Sequence, residues 1–343
     1  MVSSSAARAV LESRELPTIL DQVSISGMRP ASVFDVLQSR LRSGSHDDGN
    51  RLGLVVEGGA MRGVYSAGSL LGLHAMGASS AFDDVYATSA GAVNAAYFLS
   101  GKGELGADAY YRVLADGRFL DWKRPWKLVD IDFLVDEVFT RLRPMQVDAV
   151  LASRSRFWIA VDDFATSRTL LLSAQTAGYP LFALLKAAVA LPIGYNRLVP
   201  LGPILGFDAG LSNPFPLRDA VAHGCTHILV LLSRAAGHRS KPYAPWRRML
   251  FDWCFARGNR SLQQTLQNSW RVKNELRELA TGHGAGVGGP AIATICPSES
   301  LIEDTTQDRI VLRDELLRCA RGTVRTLALG EARLEEWIRE ERV

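Results

Sequence analysis

The chain has 343 residues, 47% of them hydrophobic and 22% charged, with a formal net charge of +3. That is enough for one large α/β domain or two smaller ones, with a core that needs no staples. So small a net charge gives no argument for nucleic acid, and none is expected as a partner.

Residues 1–50 are rich in Ser, Arg and Asp and end in SGSHDDGN. They read as a mobile leader with one short helix around residues 31–41. The first twenty residues lack an apolar stretch of signal-peptide length. At Leu52 the character changes: LGLVVEGG is a short apolar run ending in glycines, a buried strand that enters a tight loop. Residues 62–76 follow as a small-residue helix. Val85–Ala87 suits a strand and Gly91–Leu99 a helix. Residues 156–161 and 168–173 are strand-like, and 181–189 helical. Leu205–Asp208 is a short strand, His227–Leu232 a buried one, and 291–295 another. Strands alternating with helices predict a three-layer α/β/α sandwich around a mostly parallel sheet.

Residues 241–281 break this pattern as a long, basic, tryptophan-containing helical stretch. The glycine loop 282–289 and a charged helix from Arg313 complete the chain. The expected division is a leader over 1–50, a catalytic core over 51–235, and a mainly helical extension over 236–343. That extension completes the same domain and covers the site. No uncharged apolar run approaches the ~20 residues of a membrane span. The best, 181–194, carries Lys186 and Pro192. Cys225, Cys254, Cys296 and Cys319 fit no zinc spacing and read as reduced thiols. These features predict a cytoplasmic protein, at most peripheral at a membrane.

Three short motifs carry the chemistry. Glu57-Gly58-Gly59-Ala60-Met61-Arg62-Gly63 lies between a strand and a helix. Its glycines let backbone N–H groups converge beside a helix N-terminus, which suits a phosphate or an oxyanion. In isolation it is equally a tight packing turn. It lacks the endings of a nucleotide-binding loop. Ala87-Thr88-Ser89-Ala90-Gly91 sits at a strand–turn–helix junction, where a nucleophile elbow needs small neighbours. Taken alone, Ser89 is as readily the cap of its own helix. Phe207-Asp208-Ala209-Gly210 ends an apolar run in a small-residue turn, and alone is an ordinary Asp turn. Their order is more telling than any one of them. Gly58 precedes Ser89 by 31 residues and Ser89 precedes Asp208 by 119. Each motif ends an apolar strand, where open α/β sheets place their sites.

In this order the motifs resemble those of the patatin-like phospholipase family. That family carries a G-G-x-x-R/K-G loop, a G-x-S-x-G elbow and a D-G-G/A turn. EGGAMRG, ATSAGA and DAG match in sequence. Ala187–Pro192 (AAVALP) resembles the family's A-S-x-A-x-P element, with Ala188 in place of serine. Ala87 replaces the first elbow glycine, and Asp-Ala-Gly replaces Asp-Gly-Gly. The likeness covers roughly residues 52–235, and the C-terminal RDELLRCARGT resembles the end of bacterial members.

The resemblance implies a serine lipid acyl hydrolase with a two-residue site. Ser89 is the expected nucleophile and Asp208 the base. Gly58, Gly59 and Ala60 form the expected oxyanion hole, supported by Arg62, Gly63, Gly91 and Gly210. Arg62 either fixes the loop or meets an anionic head group. The partner expected is a lipid or other acyl ester, with no cofactor and no metal. A Ser…Asp…His order stays open on counting alone, because His223, His227, His238 and His283 all follow Asp208. Acyl transfer, thioester hydrolysis and a catalytically silent lipid-binding protein are the rival readings.

Two surfaces complete the sequence picture. Lys123, Arg124 and Lys127 alternate with Trp122 and Trp126. Trp246, Leu250 and Trp253 fall on one helix face among many cations. That face reads either as a lid packed on the core or as contact with an anionic membrane. Asp83-Asp84 and Asp162-Asp163 read as solvated turns.

Overall fold

The apolar run after Arg51 is buried on both of its faces, which marks a central parallel strand. In the computed structural model, which describes residues 32–124, 127–282 and 289–327, this strand is β1, Leu52–Val56. On one side it pairs in parallel with β2, Asp84–Thr88, and β2 pairs in parallel with β3, Arg156–Asp163. β4, Arg168–Ser173, turns back against β3. β5, Val199–Leu201, and β6, Ile204–Asp208, form a small antiparallel unit, and β6 also runs antiparallel to β3. On the other side β1 pairs with β7, His227–Leu231, and β7 with β8, Ala291–Ile295, again in parallel. The five parallel strands therefore lie in the order β3-β2-β1-β7-β8.

Side chains alternate across this sheet, so each strand feeds two cores. Leu52, Leu54 and Val56 join one core and Val55 the other. The first core is closed by α2, Gly63–Ala75, α3, Ala90–Leu99, and α4, Gly103–Arg112. α5, Leu181–Ala188, adds Leu184 and Leu185 to it. The second core is closed by α6, Leu217–Ala222, through Leu217 and Ala220. Leu276 and Ala280 of a later helix complete it. The result is the three-layer α/β/α arrangement with a mostly parallel sheet and C-terminal helices that the sequence predicts.

Three details depart from the sequence reading. Residues 32–50 do not hang free. Ser32 caps α1, Val33–Ser43, in a reciprocal box with Asp35. Arg40 of that helix is 3% exposed, and it binds Asp48, Asp83 and the Ala81 carbonyl. One buried arginine thus ties a polar segment to the fold. Residues 1–31, the rest of the expected leader, lie outside the described residues. The basic stretch 241–281 is helical as expected, but it is broken. It divides into α7, Pro245–Phe251, a π turn over Asp252–Ala256, and α8, Arg260–Ala280. The break falls at Arg257 and Gly258, both at positive φ. The short strand β5 has no signal in the sequence, because Pro200 interrupts it. The expected glycine loop falls largely on residues 283–288, outside the described residues. No helix among the described residues is long and apolar enough to cross a membrane.

The C-terminal helix α9, Arg309–Leu327, lies against α2 through glycines. A methyl group on Gly68 would sit 2.3 Å from the Leu316 carbonyl oxygen, and one on Gly72 2.7 Å from that of Ala320. Backbone oxygens cannot swing aside, so this crossing requires glycine. Gly68→Ala and Gly72→Ala are each expected to lower stability by about 1–3 kcal/mol in chemical denaturation. Gly322, on the open side of α9, has nothing within 4 Å. Gly322→Ala is expected to stabilise by up to about 1 kcal/mol, which controls for helix propensity.

Candidate active site

β2 ends at Thr88, and the chain reverses at once into α3. Ser89 makes the reversal at φ 55 and ψ −137, a conformation a side chain rarely adopts. The turn holds because its neighbours leave no room for any other path. A methyl on Gly91 would lie 2.7 Å from the Val56 carbonyl oxygen, and one on Gly58 2.5 Å from Ser89 Cβ. The glycine loop therefore passes directly against the serine. Ser89 makes no side-chain cap to α3, so the helix-cap reading of this motif does not hold. Ala87 is fully buried in β2.

Asp208 reaches Ser89 because β2 and β6 approach along the same edge of β3 from opposite directions. Thr88 pairs with Ala160, and Asp208 pairs with the next residue, Val161. The two strand ends meet head to head. Ser89 Oγ donates to Asp208 Oδ2 at 2.5 Å. The Gly210 N–H donates to Oδ1 at 2.7 Å, which explains glycine in the Asp-x-Gly turn. The Asp208 N–H donates to the Ala190 carbonyl, so the AAVALP segment backs the carboxylate. Burial pushes the Asp208 carboxyl up to about 6, against the lowering effect of its two hydrogen bonds.

The glycine loop is held from behind. Ser233 donates from its N–H to Glu57 Oε2 and from its Oγ to the Gly58 carbonyl. Arg277 of α8 is 2% exposed and pairs with Glu57 Oε1 at 2.9 Å. Ala60 stands at φ 48, which turns the loop sharply. Among the described residues no acceptor is bonded to the Gly59 or Ala60 N–H. Those two donors are free to meet an oxyanion. Arg62 is paired with Asp304 in the segment after β8. Burial and the nearby Arg234 lower its guanidinium to about 10. Gly63 leaves room for the Tyr110 hydroxyl, since a methyl there would sit 2.3 Å from that oxygen.

The histidines do not complete a triad among the described residues. His223 bonds the Tyr86 hydroxyl and packs on Trp158. His227 bonds Thr226. His238 is driven down to about 4 by burial and by Arg234, Arg277 and Arg62. Ser89 Oγ donates to the Asp208 carboxylate, whose other oxygen accepts from the Gly210 N–H. His283 lies outside the described residues, as does Trp126 of the first basic cluster.

Sequence reasoning missed several residues around the site. The acid pairs are not solvated turns. Asp84 is fully buried and bound by Arg51, Arg156 and Trp158. Asp162 is buried beside the Asp208 turn, accepting from Thr169 and from Ser212. Burial raises it to about 6, and its charge in turn raises Asp208. Arg277 and Ser233 gave no signal because each acts across a long sequence separation. Asp162 did leave one: it continues a buried strand, where a solvated acid would not sit.

Two outcomes follow from this burial. Arg277→Met strands the Glu57 carboxylate, and a loss of about 3–5 kcal/mol is expected in denaturant titration. Adding Glu57→Gln should restore much of it. Asp208 binds its proton more tightly folded than unfolded. Its burial therefore costs nothing below the unfolded carboxylate pKa, and stability falls as pH rises through about 6. Asp208→Asn is expected to exceed wild type by about 2 kcal/mol at about pH 8, with the gap closing by about pH 4.

Residues 54–221 match the family model described as patatin-like phospholipase. Uncharacterized protein YjjU of Escherichia coli (strain K12) is 27% identical over 222 residues, which cover 62% of this chain and 59% of that protein. The chain thus spans about three fifths of the length of this curated relative. The matched span includes the glycine loop, the Ser89 elbow and the Asp208 turn in their expected order. The chain therefore carries a patatin-like phospholipase domain over residues 54–221.

Proposed function

We propose that this protein is a serine hydrolase of lipid acyl esters, of the phospholipase A, lysophospholipase or carboxylesterase type. It works through Ser89 and Asp208. The observation that carries this reading is the 2.5 Å hydrogen bond from Ser89 Oγ to Asp208 inside a strained strand–turn–helix elbow. The patatin-like phospholipase domain supports lipid acyl hydrolysis in general. Catalysis needs a serine whose proton has somewhere to go, and this arrangement supplies it.

Ser89 Oγ attacks the ester carbonyl carbon while its proton passes to Asp208. The carbonyl oxygen becomes an oxyanion, which the free N–H groups of Gly59 and Ala60 meet, whereas the Gly58 N–H, also expected there, donates to the Pro214 carbonyl. Collapse breaks the ester C–O bond, and the departing alcohol takes the proton from Asp208. Water then attacks the acyl-enzyme, giving its proton to Asp208, and Ser89 leaves with that proton as the fatty acid departs. A carboxyl raised to about 6 is a stronger base than an ordinary aspartate, yet it stays ionised at neutral pH. Glu57, Ser233 and Arg277 position the loop and do not touch the substrate. A lipid substrate brings the protein to a lipid surface at least transiently.

Hydrolysis of p-nitrophenyl esters of graded chain length tests the reading. Wild type should cleave them, and Ser89→Ala and Asp208→Asn should each lose on the order of a thousandfold or more in kcat/KM. The acid limb of kcat/KM should fall as pH drops through about 6, where Asp208 takes up its proton. A folded wild-type protein inert on every chain length would sink the proposal.

A further inference from the structure

Helix α7 and the π turn after it are apolar on two sides. The inner side, Phe251 and Phe255, is buried. Phe255 packs edge-on against Phe207 at 5.1 Å and Phe164 at 5.6 Å between ring centroids, and Phe207 adjoins Asp208. The outer side carries Trp246, Met249 and Trp253, which are 58%, 71% and 80% exposed. Of the face the sequence assigns to Trp246, Leu250 and Trp253, no member is buried in the core. A helix apolar on two sides, with one of them bare, is built for a partner.

The charges around it say which partner. Residues 241–260 hold Lys241, Arg247, Arg248, Arg257 and Arg260 against the single acid Asp252. Asp252 is already engaged by the Gln263 amide and the Gly258 N–H. The four arginines are exposed, and among the described residues none has a carboxylate partner. Arg247 lies 5.1 Å from the centre of the Trp246 ring. Exposed indoles beside free guanidinium groups match the boundary between anionic head groups and acyl chains. A second copy of this face would set arginine against arginine.

We propose that the outer face of α7 and its π turn docks on an anionic lipid bilayer. Trp246, Met249 and Trp253 enter the acyl boundary, while Arg247, Arg248 and Arg257 meet lipid phosphates. The contact lies on the side of the fold that carries β6 and Asp208. Its purpose rests on the lipid-hydrolase reading, but its detection does not.

The test uses the full chain as Ser89→Ala, so that vesicles stay intact. It should co-sediment at low salt with vesicles of equal phosphatidylcholine and phosphatidylglycerol, and far less with phosphatidylcholine alone. Salt should weaken binding, and tryptophan emission should shift to the blue. Arg247→Gln with Arg248→Gln should weaken binding by about thirtyfold. Trp246→Ser, Met249→Ser and Trp253→Ser together should weaken it by about tenfold or more. With Ser89 intact, the triple serine variant should keep the wild-type rate on a short soluble ester and lose hydrolysis of vesicle lipid. No binding to the anionic vesicles, unchanged binding by both variants, or a self-association that the triple variant abolishes without any vesicle binding overturns the proposal. Vesicle binding by a chain that cleaves no ester would leave docking intact and remove the hydrolase reading instead.

Discussion

The structure depends on one junction, where β2 and β6 end against consecutive residues of β3. A strand can carry only one neighbour at each position on a given edge. Thr88 occupies the position at Ala160, and Asp208 the next, at Val161. β2 cannot continue, so it must turn, and the turn is Ser89. The same crowding holds the serine at positive φ and sets its hydroxyl against a carboxylate. Strain at the elbow and the short hydrogen bond are thus two results of one packing constraint.

The junction is buried, and burial has two effects. It raises the proton affinity of Asp208. It also places Asp162 nearby, a second carboxylate removed from water and held by hydroxyl donors of Thr169 and Ser212. Both acids are held up to about 6 in the fold. Neither would be selected for stability at neutral pH. Lys273 of α8 offsets part of the effect on Asp208. The surrounding sheet and helices supply the stability that keeps the two carboxylates in place.

Helices late in the chain finish what the core begins. Arg277 comes from α8 and Glu57 from the end of β1, 220 residues apart. Their pair fixes the start of the glycine loop. Asp304 reaches Arg62 from the segment before α9, and Leu301 and Ile302 donate to the Tyr65 hydroxyl of α2. The loop that faces Ser89 is therefore clamped by residues far beyond the matched family span. A single arginine with its carboxylate, both buried, is a demanding arrangement, since losing either partner leaves an uncompensated charge.

The order of the motifs, the α/β class and most strands were readable from sequence. Local chemistry dictates them: apolar runs must be buried, and glycines mark where backbones approach. Gly58, Gly91 and Gly210 were legible for that reason, and Ser89 and Asp208 followed from their places at strand ends. The tertiary structure decided what depends on partners distant in the chain. It placed Arg40, Asp84 and Asp162 in the interior, where composition alone suggested solvated segments, because a charge can be buried once its partners arrive. It split the basic stretch at Arg257 and turned Trp246 and Trp253 outward, since the periodicity of a helix names its faces but not which one meets the core. Sequence by itself determined the order of the motifs and their places at strand ends. Only the meeting of β2 and β6 on β3 decided that Ser89 and Asp208 touch, because proximity across 119 residues is a property of strand register and not of any local pattern.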